Sequence, residues 1–157
     1  MFKTTPMDKK LNNEKLLFPR ITDGIKYLLR RRQRSNEEAA RMKKSIEIVE
    51  PRLKIWVAEG NYRKKYDSMD SILKELGLAA DELSYYCSNR LNTTFLSWRK
   101  VLRMEDAKRM LLEYPEMPTS KIANELGISD KSNFRHQFKS VTGLSPSAWR
   151  EKYLKKN

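Results

Sequence analysis

The chain has 157 residues, with 33 Lys+Arg against 20 Asp+Glu, a formal net charge of +13 and a pI near 9.9. That length holds one ordinary domain, or a small one with an extension, and the charge favours a polyanionic partner (DNA, RNA or anionic membrane) through counterion release. With one histidine, His136, and one cysteine, Cys87, the chain supplies neither a His/Cys zinc site nor an internal disulfide.

The five glycines and six prolines are few, and the prolines fall between periodic segments, which favours helices over strands. No Gly-rich phosphate loop is present, and carboxylates fall at exposed-looking helix positions. The expectation is a non-enzyme that needs no cofactor and no metal. No apolar run approaches the ~20 residues of a membrane span, and no signal-peptide pattern follows the first lysines. A reducing cytoplasm is the simple expectation for its location.

Residues 1–20 mix Lys, Asn, Thr and Pro with little periodicity and read as a flexible tail. Residues 21–50 read as a helical extension, one helix or two. Ile25, Leu28 and Leu29 share a face, a dense basic run follows at Arg30–Arg34, and Ala39, Met42, Ile46 and Val49 repeat the three-to-four spacing. This segment is a candidate linker, or a homodimer contact through Ala39, Met42, Ile46 and Val49. The basic run reads as a solvated face, an extra DNA contact or a juxtamembrane segment. Pro51 interrupts or starts a helix, and Leu53, Ile55, Trp56 and Val57 then supply apolar mass.

An internal repeat of about fifty residues organises the rest. Ser71–Leu78 recurs as Lys121–Ile128, with Ile72 matching Ile122, Leu76 matching Leu126 and Gly77 matching Gly127. A second amphipathic helix follows each copy. It carries Leu83, Tyr86, Cys87 and Leu91 in the first and Phe134, Phe138 and Val141 in the second. Each copy reaches a turn, at Asn92 or Gly143, and a tryptophan six residues later, Trp98 or Trp149. Each therefore reads helix, tight turn, helix. Asp130 is an N-cap, and Ser145-Pro146 starts the last helix. Between the copies, Phe95, Trp98, Val101, Leu102, Met104, Ala107, Met110 and Leu111 mark one helix over 94–114, roughly 30 Å long at 1.5 Å per residue. A spacer of that order can set two recognition helices about one turn of B-DNA apart, ~34 Å.

The fold expected is all-α: two helix-turn-helix subdomains joined by a long helix, with a helical N-terminal extension. The first helix-turn-helix lies at about 68–92, the second at about 119–143 and a final helix at 145–155, within a DNA-binding domain of 51–157. Trp56, Trp98, Trp149, Phe134 and Phe138 read as core, Cys87 as an inert core thiol, and Arg103 as support for the helices rather than a phosphate ligand.

Ile122-Ala123, Leu126-Gly127-Ile128, Asn133-Phe134, Phe138-Lys139, Thr142-Gly143, Ser145-Pro146-Ser147 and Trp149-Arg150 together resemble the signature of the AraC/XylS DNA-binding domain. Leu83-Ser84, Phe95, Trp98, Arg103-Met104 and Ala107 resemble its first unit and connecting helix, so the resemblance covers about residues 52–155. It implies seven helices, with the third and sixth meeting promoter DNA, here about Ala80–Leu91 and Asp130–Thr142. It places Ser132, Asn133, Arg135 and His136 at the bases, with Gln137 and Lys139 flanking. In the first unit it places Asp81, Glu82, Ser84, Tyr85 and Ser88 there. Arg135 suits guanine O6/N7, and Asn133 suits adenine or phosphate.

The departures are Ile128 and Cys87, each where Phe is common, Asn92 where Gly is common, and two carboxylates, Asp81 and Glu82, heading the first recognition helix. Those carboxylates favour the helix dipole but repel phosphate, so the second unit is expected to carry more affinity. The implied function is a bacterial, cytoplasmic and nucleoid-associated transcription regulator. It is expected to be an activator that places two recognition helices in successive major grooves, with promoter DNA and RNA polymerase as partners. The competing reading is a helix-turn-helix protein-interaction module, or the cytoplasmic output domain of a membrane-tethered sensor, with weak DNA affinity.

Overall fold

In the computed structural model, residues 6–154 are described, with side chains from Thr22 onward. Seven helices account for the described chain, and no strand occurs among these residues: α1 (Pro6–Ala58), α2 (Met69–Leu76), α3 (Ala80–Arg90), α4 (Phe95–Glu113), α5 (Thr119–Glu125), α6 (Lys131–Thr142) and α7 (Pro146–Leu154), with a short 3-10 turn at Asn61–Arg63. No helix among the described residues is long and apolar enough to cross a membrane. Of the tail expected at 1–20, residues 1–5 lie outside the described residues, as do the side chains of the rest.

Two compact units form, Met1–Lys44 and Ser45–Asn157. The described residues of the first are helix, and its Ile25, Tyr27, Leu28 and Leu29 are more than half exposed. The second unit starts earlier than the expected boundary at residue 51, because the last turns of α1 belong to its core. Val49 is fully buried there and Ile46 packs against the same cluster. Two of the four residues read as a dimer contact are thus already used inside the unit. Helix α1 also passes through Pro51, which was expected to break or begin a helix. Proline removes one N–H from the ladder, but both Pro51 and Glu47 are exposed, so water can satisfy the freed carbonyl.

The second unit holds two hydrophobic clusters threaded on α4. Its first turn gives Phe95 to a cluster with Leu53, Trp56, Ile72, Leu76, Leu83, Tyr86 and Cys87. Its second half gives Met104, Ala107 and Leu111 to a cluster with Ile122, Leu126, Phe134 and Phe138. Trp56 is 2% exposed, while Trp98 and Trp149 pack at the cluster edges. Val101, expected on the apolar face, is 42% exposed. Burial pushes the Cys87 thiol up to about 11, so it stays protonated and inert at neutral pH.

Local chemistry sets the helix ends. Ser68 accepts from the Ser71 amide, Thr94 from the Ser97 amide and Asp130 from the Asn133 amide. Asn92, standing where the second copy has Gly143, takes a left-handed φ of 51°. Arg52 of α1 donates to the Gly77 carbonyl and so ties α1 to the end of α2.

The turn at 61–64 joins the two halves. Arg99 Nε and Arg103 Nε, one turn apart on α4, donate to the Tyr62 carbonyl at 3.0 and 2.7 Å. Their Nη2 atoms both reach the Lys64 carbonyl. Burial lowers the Arg99 pKa, and burial plus the neighbouring Arg99 charge lowers Arg103 to about 10, so both remain cationic at neutral pH. Arg103 therefore supports the helices, as its sequence context indicated. One turn further, Asp106 is 8% exposed and accepts from Tyr62 Oη at 3.0 Å and Arg109 Nη2 at 2.7 Å, and it pairs with Arg63. Burial works to raise its pKa, but the Arg109 and Tyr62 hydrogen bonds and the Arg63 charge outweigh that and hold the carboxyl below its ordinary value. From the other side Gly127 closes on the same turn. A Cβ built there would lie 1.9 Å from the Arg63 carbonyl oxygen, whereas one on Gly143 meets nothing within 4 Å.

Two predictions follow from this turn. Gly127→Ala adds a backbone clash to the strain of positive φ and is expected to cost about 3 kcal/mol or more. Gly143→Ala carries the strain alone, roughly 1–2 kcal/mol. Urea titration separates the two, and equal costs would show that the close approach to Arg63 is not felt. Asp106→Asn is expected to destabilise by ~1–3 kcal/mol at neutral pH. The folded pKa of Asp106 is depressed, so its contribution is complete above the unfolded value of about 3.9 and is lost as pH falls through the lower folded value. The gap between variant and wild type should therefore narrow below about pH 4. A gap unchanged down to acid pH would rule out the ionised carboxylate as its source.

Candidate nucleic-acid interface

Helix α6 is built to present one polar face. Phe134 and Phe138, four apart, bury at 1% and 0% exposure with ring centroids 5.9 Å apart, and Phe138 meets Trp149 edge-on. Fixing that face inward turns Ser132, Asn133, Arg135, His136 and Lys139 outward, and all five are exposed. Lys131, Arg135 and Lys139 fall four apart and form one cationic row. Lys131 was missed in the sequence, although its i, i+4, i+8 spacing with the other two was there to be read. Gln137 is half-buried and donates through Nε2 to Asn133 Oδ1 at 2.9 Å, which leaves the Asn133 amino group outward. The only carboxylate at this end, Asp130, is engaged by the Asn133 amide as the N-cap.

Helix α3 offers a different face. Leu83, Tyr86 and Cys87 are buried, Asp81, Ser84 and Ser88 are exposed, and Tyr85 is half-buried. Its first turn carries Asp81 and Glu82, and its one cation is Arg90 in the last turn. The two carboxylates are not equivalent. Glu82 folds back, accepting the Ala79 N–H at 2.9 Å, which is one half of a capping box whose other half the Ala79 side chain has no oxygen to supply. One of its carboxylate oxygens is therefore engaged at the head of the helix. Asp81 alone keeps an exposed acidic head on the helix.

Each half also has an arginine directly after its repeat tryptophan, and the two act alike. Arg99 holds the Tyr62 and Lys64 carbonyls ahead of α2. Arg150 donates to the Leu111 carbonyl at 3.3 Å and the Met117 carbonyl at 2.6 Å, ahead of α5. Both arginines lock the entry to a helix-turn-helix. The Trp-Arg pair recurs in the sequence, but only the fold shows what the guanidinium does.

A helix-turn-helix domain family model matches residues 72–152. Over 80 residues the chain is 34% identical to the arabinose operon regulatory proteins of Salmonella typhimurium and Escherichia coli, a segment covering 51% of this chain. That segment spans only 28% and 27% of those regulators' own lengths. Among solved structures, the C-terminal domain of AraT, a response regulator from Geobacillus stearothermophilus, superposes with a TM-score of 0.61 at 24% identity, covering 68% of this chain and 86% of that domain. A Listeria innocua protein of unknown function gives 0.54 at 21% identity, covering 64% of this chain and 94% of that one. Both likenesses speak to the fold: an all-helical domain with paired helix-turn-helix units. The match across residues 72–152, together with the identity to two arabinose operon regulators, shows that the chain belongs to the AraC family of helix-turn-helix, DNA-binding transcription regulators.

Proposed function

We propose that the chain activates transcription by setting α3 and α6 into successive major grooves of promoter DNA, with α6 supplying most of the contact energy. The observation that carries this is the exposed Lys131–Arg135–Lys139 row, which faces out beside Ser132 and His136. Arg135 has the planar donors to pair with guanine O6 and N7. Lys131 and Lys139 flank it as phosphate contacts, and the Asn133 amino group serves phosphate better than adenine, because its Oδ1 is already engaged. Ser84, Tyr85 and Ser88 of α3 make the weaker second contact, next to the Asp81 charge. The 19 residues of α4 give a spacer of about 28 Å, close to one turn of B-DNA.

Action in the cytoplasm, on the nucleoid and beside RNA polymerase, belongs to the same reading. So does a homodimer through the extension, for which Ile25, Leu28 and Leu29 are the exposed apolar residues. The acidic head of α3 is what favours the competing protein-interaction reading.

Fluorescence anisotropy on a duplex selected from genomic fragments, at several salt concentrations, tests the proposal. Arg135→Ala should weaken specific binding by ~1–3 kcal/mol and relax discrimination at one base pair. Lys131→Ala should weaken all sequences alike and reduce the salt slope by about 1. Tyr85→Ala should cost less than Arg135→Ala. A large loss at Tyr85 with none at Arg135 would reverse the ranking of the two helices. If no duplex were preferred over scrambled sequence, the protein-interaction reading would replace this one.

A further inference from the structure

The second unit contains a cleft of about 510 Å³, and neither Ser84 nor Arg135 lines it. Its floor is apolar, formed by Leu53 and Val57 of α1, Leu91 just past α3, and Trp98 and Leu102 of α4. Three charged residues stand at its rim: Lys54, Arg90 and Glu50. The Glu50 carboxylate is occupied, by Lys54 Nζ at 2.8 Å and Tyr86 Oη at 3.3 Å. Arg90 is exposed and forms no ion pair within 4 Å among the described residues, while its charge joins that of Lys54 in holding the Glu50 carboxyl below its ordinary value. The rim therefore has a cationic excess, with one guanidinium available above an apolar floor.

A space of this size lies in the ~300–1,000 Å³ range of small-molecule sites. Water on such a floor finds few polar partners and is readily displaced. We propose that the cleft binds an amphipathic carboxylate of medium chain length, its hydrocarbon on Leu53, Val57 and Leu102 and its carboxylate on Arg90. Charge complementarity selects this occupant. A second copy would bring another chain of net charge +13 to a cationic rim, while a carboxylate brings the opposite sign. The cleft touches α3 through Tyr86 and Arg90, so an occupant bears directly on the first recognition helix. The binding itself does not depend on how that helix meets DNA.

The test uses the full chain with dodecanoate and dodecanol below their micellar or solubility limits, followed by calorimetry and tryptophan fluorescence. One dodecanoate should bind per chain, about tenfold more tightly than dodecanol. Arg90→Gln should remove that advantage while leaving dodecanol unchanged, and Arg34→Gln, a cation remote in sequence, should change neither. Leu102→Trp should fill the cleft and abolish both; if circular dichroism shows it misfolded, Val57→Phe repeats the measurement. The proposal is overturned by a lack of saturable binding, by binding that survives the filled cleft, by equal affinity for the alcohol, or by equal losses at Arg34 and Arg90. Sedimentation showing a dimer that Leu102→Trp dissociates, with no dodecanoate bound, would give the cleft to a second copy instead.

Discussion

A single short turn, residues 61–64, carries the carbonyls on which the second unit is assembled. Its backbone turns extended at Lys64, and a carbonyl taken from water without a partner is costly. Two guanidiniums from α4 meet that need at once, Arg99 and Arg103 converging on Tyr62 and Lys64. Placing two like charges side by side in a partly buried site is itself unfavourable, as the lowered Arg103 pKa shows. The arrangement stands because each arginine donates to carbonyl oxygens, and because Arg99 lies over the Tyr66 ring, 4.9 Å from its centroid. Asp106 then fixes the same turn through the Tyr62 hydroxyl and Arg63, and Gly127 of the second helix-turn-helix packs against its backbone. The two halves are therefore joined through this turn as well as through α4, and the geometry between α3 and α6 is set there.

The repeat explains how such a joint arises from one architectural unit used twice. Arg150 does for the segment ahead of α5 what Arg99 does for the segment ahead of α2. In both cases the arginine follows the repeat tryptophan, so the side chain that ends one copy is fixed relative to the segment that opens it. The halves diverge where they face outward. The first copy spends its recognition helix's opening on Asp81 and a capping Glu82, while the second spends it on Lys131, Ser132 and Asn133 with Asp130 as the cap. Equivalent frames thus carry unequal surfaces.

The apolar spacing of the chain made its helices legible because each helix of the second unit buries one face in one of the two clusters. Ile72, Leu76 and Leu83 in the first copy, and Ile122, Leu126 and Phe134 in the second, are all core. The positions of Asn92 and Gly143 marked the turns because left-handed φ restricts what can stand there. Three features were not legible. Whether α1 would pass through Pro51 depends on which side of the helix meets solvent, which spacing alone does not say. Val49 belonged as well to a dimer seam as to a core until α3 and α4 were placed beside it. Glu82 looked like a free carboxylate because its partner is a backbone amide, and backbone groups carry no mark in the sequence. The same holds for Arg99 and Arg150, whose acceptors are carbonyls.

What unites these elements is a frame that holds two recognition helices and arms one of them. The most direct measurement is a residue-resolved NMR titration of the chain with a selected promoter duplex. The account predicts that the amides and side chains of residues 131–139 shift most, that those of 81–88 shift less, and that the Arg99, Arg103 and Arg150 side chains keep their free-state signals. Dominant shifts along α3, or release of those arginines on binding, would contradict it.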